Sequence, residues 1–245
     1  YNIFRDKHTE IHAKNQQKIS HRYNISRELL SLKSKITFKS EIYNQLFFTE
    51  NKLSHSEEFH TGNYYRIFPI LSAGIETPFK FKKNKYNFTI NPKSQLVLTP
   101  SQSNSNKISN EDSSNNSFTL ENITSLSRYS GSDKMDNSKR LVYGFNAYND
   151  TININMSQSY EFSSNSNFHK EQGNDDNLSD LLGSIDYTKK NVASYSFRYD
   201  FNDNFLKQQN INLSSPLRIG DVSLKYLDQK SKTDDIIVQD TETIN

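Results

Sequence analysis

Apolar and polar residues take alternate positions along much of this chain, the repeat of a strand whose two faces meet different surroundings. Over 35–48, Ile36, Phe38, Ile42, Leu46 and Phe48 share one face, against Lys35, Thr37, Lys39, Glu41 and Gln45, with Asn44 and Phe47 out of step. Over 64–75, Tyr65, Ile67, Pro69, Leu71, Ala73 and Ile75 line up; the opposite face carries Arg66, Ser72 and Gly74 mixed with Phe68 and Ile70. Over 85–98 the alternation is almost unbroken, with Tyr86, Phe88, Ile90, Pro92, Leu96 and Leu98 set against Lys85, Asn87, Thr89, Asn91, Lys93 and Gln95. The same rhythm returns at Leu141, Tyr143, Phe145 and Ala147, and at Ile152, Ile154, Met156, Tyr160 and Phe162. It continues through Leu181, Ile185 and Tyr187, then Ala193, Tyr195, Phe197 and Tyr199, then Ile211, Leu213, Leu217 and Ile219, and last Val222, Leu224 and Tyr226. Before about residue 32 the pattern is weak, and only Tyr23 and Ile25 suggest a strand.

Several of these segments run to about ten residues or more, beyond the usual globular strand and long enough to cross a bilayer at the tilt of a barrel strand. Tyr65, Tyr86, Tyr148, Tyr160 and Tyr199 fall near segment ends, where interfacial aromatic girdles belong. Short links (149–150, 189–191, 220–221) alternate with long polar ones (163–180, 201–210). Outer-membrane barrels show this because their periplasmic turns are tight and their external loops long. Extending the parity backwards makes 100–139 an external or lumen-folded loop and 51–63 external, and puts a periplasmic link at 80–83. The expected fold is all-β, an antiparallel transmembrane β-barrel present in part. Residues 1–33 form a weakly assigned strand or loop region, 34–228 the barrel strands with the long loop 100–139, and 229–245 a loop leading to further strands. Both ends read as cuts through a longer protein.

Composition alters this picture little. Mean hydropathy is −0.86 and 33% of the 245 residues are hydrophobic, which alone would suggest disorder. The 14 Tyr and 16 Phe, set at patterned positions, argue otherwise. No window reaches the roughly 18 apolar residues of a membrane helix. The net charge of +2 comes without a basic stripe, which makes nucleic acid a poor partner. The absence of cysteine excludes disulfides, thiolate metal sites and cysteine nucleophiles. Of the histidines His8, His12, His21, His55, His60 and His169, only His8 and His12 have metal-like spacing, and no third ligand accompanies them. No cofactor is expected. Pro69 and Pro92 weaken a strand ladder, which fits either parting strands or a bulge at an edge, and the bulge is the simpler reading.

The long loop carries the most specific signal. It reads Ile108-Ser109-Asn110-Glu111-Asp112-Ser113, then Arg128, then Gly131-Ser132-Asp133-Lys134, and is followed by Arg140 and Tyr143-Gly144-Phe145. The stretch resembles the LptD family of lipopolysaccharide-assembly proteins, in the form typical of alphaproteobacteria. Tyr65-Arg66 with Pro69 and Pro78, Asn91-Pro92-Lys93, and Leu178-Ser179-Asp180 with Ile185 and Tyr187 extend the resemblance over roughly 64–226. Ser109 stands where the family usually has Pro, Asn122-Ile123-Thr124 replaces Asn-Leu-Phe, and Lys134 replaces Arg.

The resemblance implies transport without covalent chemistry, at the outer membrane, as part of lipopolysaccharide insertion into the outer leaflet. It implies as partners lipopolysaccharide, an LptE-like lipoprotein plug, periplasmic LptA-like bridge proteins and outer-membrane lipids. Within the loop, Asn110, Glu111, Asp112, Ser113 and Asp133 form a polar, acidic group expected to lie near Arg128 and Arg140, where planar Arg–carboxylate pairs would pin the loop inward. Gly131 and Gly144 would permit close approach or a kink, and Tyr143 completes the motif. Two readings stand: these residues shape a passage for the lipopolysaccharide head, or they brace the loop against the wall. Alternation alone fits another outer-membrane barrel, a porin or receptor, equally well. An outer-membrane enzyme would need a Ser/His or Asp/His pair at the rim, and a soluble carbohydrate-binding sandwich would need shorter strands.

Overall fold

The computed structural model describes residues 2–4, 15–53, 59–83, 86–114, 117–163, 167–168, 172–175, 177–189, 191–217, 220–233 and 236–244. His8, His12, His55, His169 and Ile219 lie outside them. The strands are β1 (Asn2–Phe4), β2 (Asn15–Ser31), β3 (Ser34–Leu53), β4 (Phe59–Glu76), β5 (Phe79–Lys83), β6 (Tyr86–Leu98), β7 (Lys139–Tyr148), β8 (Ile152–Glu161), β9 (Asn174–Asp175), β10 (Leu178–Ser179), β11 (Leu181–Thr188), β12 (Val192–Asp200), β13 (Phe205–Leu217), β14 (Gly220–Thr233) and β15 (Ile236–Ile244). They form one antiparallel sheet in the order β1-β2-β3-β4-β6-β7-β8-β11-β12-β13-β14-β15, with β5, β9 and β10 attached beside this path. The sheet is open, with β1 and β15 at its two ends.

The alternation read from the sequence becomes two chemically distinct faces. Ile42, Leu46 and Phe48 of β3 and Tyr65, Ile67, Leu71 and Ile75 of β4 are exposed. Glu41, Tyr43, Gln45 and Phe47, or Arg66, Phe68, Ile70 and Ser72, are buried between them. Register carries this across strands. Ile90, Ala147, Ile154, Ile185, Tyr195, Ile211, Tyr226 and Ile244 pair in one continuous row from β6 to β15. An open apolar face of this extent suits a lipid environment, where burial inside the protein is not needed to remove it from water. Among the described residues no helix is long and apolar enough to cross a membrane.

The core sits on the other side, between the polar face and the loop at 99–138. Phe47, Phe68 and Ile70 are fully buried there. Two clusters hold the loop: Tyr43, Phe68, Ile70 and Val97 from the wall against Leu126 and Met135 of the loop, and Val142 and Leu182 against Phe118, Ile123, Tyr129 and Phe168. Of the residues that broke the alternation, Phe68 and Ile70 are thus apolar seats for the folded-in loop, while the Phe47 ring lies under the Lys18 ammonium and the Arg66 guanidinium.

Within 1–33, Tyr23 and Ile25 lie on β2, a strand of 17 residues. Three expectations about connections need correction. The segment 229–245 is not a loop: β14 runs to Thr233 and β15 pairs with it from Ile236. The turn expected at 80–83 is β5, where Phe79 and Phe81 are exposed and pair with Ile90 and Phe88. β5 keeps the register that β4 sets along β6, since Glu76 pairs with Lys93 and Phe79 with Ile90. Pro78 interrupts the pair because it has no N–H to donate, while the Thr77 N–H still reaches the Pro92 carbonyl at 3.2 Å. The links at 51–63 and 201–210 shrink because strands extend into them, leaving 54–58 between β3 and β4 and a four-residue turn, 201–204, between β12 and β13. In that turn the Asp200 carboxylate accepts the N–H groups of Asn202 and Asp203.

Candidate functional site

The loop is tied to the wall by two ionic clusters rather than the single one expected. The first joins it to β2–β4. Lys18 Nζ reaches Asp133 Oδ1 at 2.8 Å, Asp112 Oδ2 at 3.0 Å and Ser132 Oγ at 2.6 Å. Arg66 donates from Nη1 and Nη2 to the carbonyls of Asp133 and Ser132, and from Nε and Nη2 to Gln45 Oε1. Gln16 exchanges two hydrogen bonds with the Ser109 backbone. Within the loop, Asp133 Oδ2 accepts the N–H groups of Glu111 and Asp112, and Asp112 Oδ1 accepts those of Ser132 and Asp133. Asn110 and Ser113 close a turn through reciprocal side-chain and backbone bonds of 2.7 and 3.0 Å. A Cβ on Gly131 would lie 2.1 Å from the Asp112 carbonyl oxygen, so only glycine lets these two strands of loop touch.

The second cluster joins the loop to β7 and β8. Arg128 forks onto Asp136 (Nε–Oδ2 2.7 Å, Nη2–Oδ1 3.1 Å) and reaches Glu161 at 2.6 Å. Arg140 of β7 meets the same Asp136 at 3.2 Å and the Ser125 carbonyl, while Ser138 donates to Glu161. All four charged side chains are fully buried. The Arg128 guanidinium also stacks over Phe118 and Phe168, 4.6 and 4.8 Å from their centroids. Such a set gains little net stability over an apolar core, but any loop position that separates its members is strongly disfavoured.

Of the residues singled out in the sequence, Asn110, Glu111, Asp112, Ser113, Gly131 and Asp133 fall in the first cluster and Arg128 and Arg140 in the second. Gly144 lies on β7, where a Cβ would come 2.0 Å from the Met156 carbonyl oxygen of β8. Tyr143 joins neither cluster: it is partly exposed on the apolar face and donates to Gln158 at 2.8 Å. The sequence reading missed Gln16 and Lys18, which sit in weakly patterned β2. It also passed over Asp136 and Glu161, the carboxylates that the two arginines use.

Burial pushes the Asp112 carboxyl up, but Lys18, the backbone N–H groups of Asp133 and Ser132, and the Ser113 hydroxyl outweigh it and hold the group below the usual carboxylate range. For Asp136, burial is likewise outweighed, here by Arg128 and Arg140. A depressed folded-state pKa stabilises the fold fully above the unfolded value of about 4 and loses that contribution as pH falls through and below it. The melting temperature of the detergent-solubilised protein should therefore fall between pH 5 and pH 3. Asp112→Asn should flatten part of that fall, and an unchanged pH profile in the variant would contradict the assignment.

An antiparallel sheet with a lipid-compatible outer face and a polar inner face, onto which a loop is clamped by buried ion pairs, has the two-faced design of part of a transmembrane β-barrel. The family model described as LPS transport system D, LptD, matches residues 10–244. The chain belongs to the LptD family, an outer-membrane transport and assembly family that works with the Lpt bridge machinery to carry lipopolysaccharide to the outer membrane. No match was found among curated proteins.

Proposed function

We propose that this chain forms part of the barrel wall, and the internal loop, of a protein that inserts lipopolysaccharide into the outer leaflet and so contributes to outer-membrane assembly. The observation that carries this reading is the division of the sheet into an exposed apolar face and a polar face roofed by the loop. A polar inner wall gives hydroxyls and phosphates of a lipopolysaccharide head hydrogen-bond partners, while acyl chains remain in lipid. Unpaired strand edges are costly in a bilayer, so β1 and β15 call for further strands of a larger barrel, here of the alphaproteobacterial type. The tight turns face the periplasm, where LptA-like bridge proteins deliver substrate, and an LptE-like lipoprotein occupies the lumen beside the loop. Depletion of the full-length protein is expected to strip lipopolysaccharide from the cell surface, measured by surface labelling. Normal surface lipopolysaccharide after depletion would argue for a porin or receptor instead.

A further inference from the structure

The apolar face of β2–β6 carries a groove and, at one end of it, an unbalanced charge. The groove has a volume of about 300 Å³ and is lined by Ile25, Phe38, Leu71, Ala73, Leu96 and Leu98. Two pairing rows build it: Arg27, Phe38, Ala73 and Leu96 in one, and Ile25, Ser40, Leu71 and Leu98 in the next. Ser40 and Ala73 are the small members, on neighbouring strands in neighbouring rows, so the face dips between the longer side chains around them. Lys39 and Ser72 border the groove but belong by register to the polar face. From β2 to β6 the dip crosses three strand spacings, about 14 Å, enough for a stretch of acyl chain.

Arg27 also lines the groove and is exposed. Among the described residues it has no carboxylate to pair with on its own face: no Asp or Glu stands on the apolar side of β2 over 17–29, of β3 over 36–48 or of β4 over 65–75. A lone guanidinium on a face turned to lipid is costly and calls for an anion from outside the chain. Its planar fork suits the oxygens of a phosphate. Arg27 precedes Ser31, the last residue of β2, by four positions. It therefore stands about 14 Å along the strand from the tight β2–β3 turn. With tight turns to the periplasm, the long side chain can snorkel towards headgroups on that side, while the groove leads away from it across β3, β4 and β6. A phosphate at one end and an acyl chain along the trough describe a glycerophospholipid, the lipid of the periplasmic leaflet.

We propose that this groove holds one anionic glycerophospholipid, its phosphate on Arg27 and one acyl chain over Ser40 and Ala73. The proposal rests on the lipid-facing reading of the sheet and on the orientation given above. Native mass spectrometry of the full-length protein, incubated in detergent with dioleoylphosphatidylglycerol, is expected to show one retained lipid. Dioleoylphosphatidylcholine and lipid A, tested in parallel, should be retained less. Arg27→Gln should lower phosphatidylglycerol retention about tenfold, the weight of one charge-assisted contact, and Arg27→Lys should keep part of it. Ala73→Phe fills the trough while leaving Arg27 in place, and should lower retention as well. All three changes fall at exposed positions, and folding is checked by heat-modifiable gel mobility. Retention unchanged in Arg27→Gln and Ala73→Phe would overturn the proposal, as would equal retention of the two phospholipids or a preference for lipid A. Ile67→Lys, on the same face but outside the groove, separates the two levels of the argument. If it leaves assembly intact, the lipid-facing reading itself fails; if it blocks assembly while retention ignores Arg27, only the lipid site fails.

Discussion

Asp136→Ala is expected to destabilise the chain by about 3–5 kcal/mol, the usual cost of removing one partner from a buried ion pair. Asp136 is the hub of the second cluster: Arg128 grips both its oxygens and Arg140 meets it from the wall. Without it, two fully buried guanidinium groups are left with Glu161 and backbone carbonyls as acceptors. For a chain of this size the melting temperature should fall by roughly 10 °C. Trypsin should cut the loop after Arg128 or Lys134 in the folded variant more readily than in the parent protein. Glu121→Ala, which removes an exposed carboxylate from the same loop, is the control. Equal effects from the two would mean that the buried cluster does not hold the loop.

The second large effect concerns the two faces of the sheet. Ile42→Lys, Ile67→Lys and Leu71→Lys each put an ammonium on the apolar face, where a lysine near the bilayer midplane costs about 2–4 kcal/mol. Thr37→Lys and Asn212→Lys place the same group on the polar face, where it stays in water. Heat-modifiable mobility of outer-membrane fractions should show loss of folded protein for the first three and little for the last two. Comparable losses on both faces would contradict a lipid-facing assignment.

The strands with clean alternation, β3, β4, β6 and β8, were legible because side-chain direction in a strand is fixed by position alone. β2 was nearly invisible for an equally simple reason. Its outer face, set by pairing with β3, runs Gln17, Ile19, His21, Tyr23, Ile25, Arg27 and Leu29, so three polar residues interrupt the apolar count. β15 opens with Ile236-Ile237-Val238 and continues through polar residues, which carries no period of two. The motif residues of the loop were found, but their partners were not. Sequence proximity suggested that Asp112 and Asp133 meet Arg128 and Arg140, whereas the sheet brings Lys18 from far upstream to the acids, with Arg66 on the neighbouring Ser132 and Asp133 carbonyls. Pairing across more than 90 residues is a property of the folded wall, and nothing in the local pattern encodes it. The anomalies Phe47, Phe68 and Ile70 were visible as misfits; the loop lying on Phe68 and Ile70, and the two cations over Phe47, give them a purpose.

β3 is 20 residues long. At about 3.4 Å per residue it extends roughly 65 Å, and at a tilt near 45° it rises about 45 Å. The hydrocarbon-facing belt of a barrel is only about 25 Å tall. β2, β3 and β4, of 17–20 residues, therefore outreach that belt by up to some 20 Å, while β7, β8, β11 and β12, of 8–10 residues, match it. One flank of the wall is tall and the other low, so a molecule passing along it meets a screen on one side and a sill on the other.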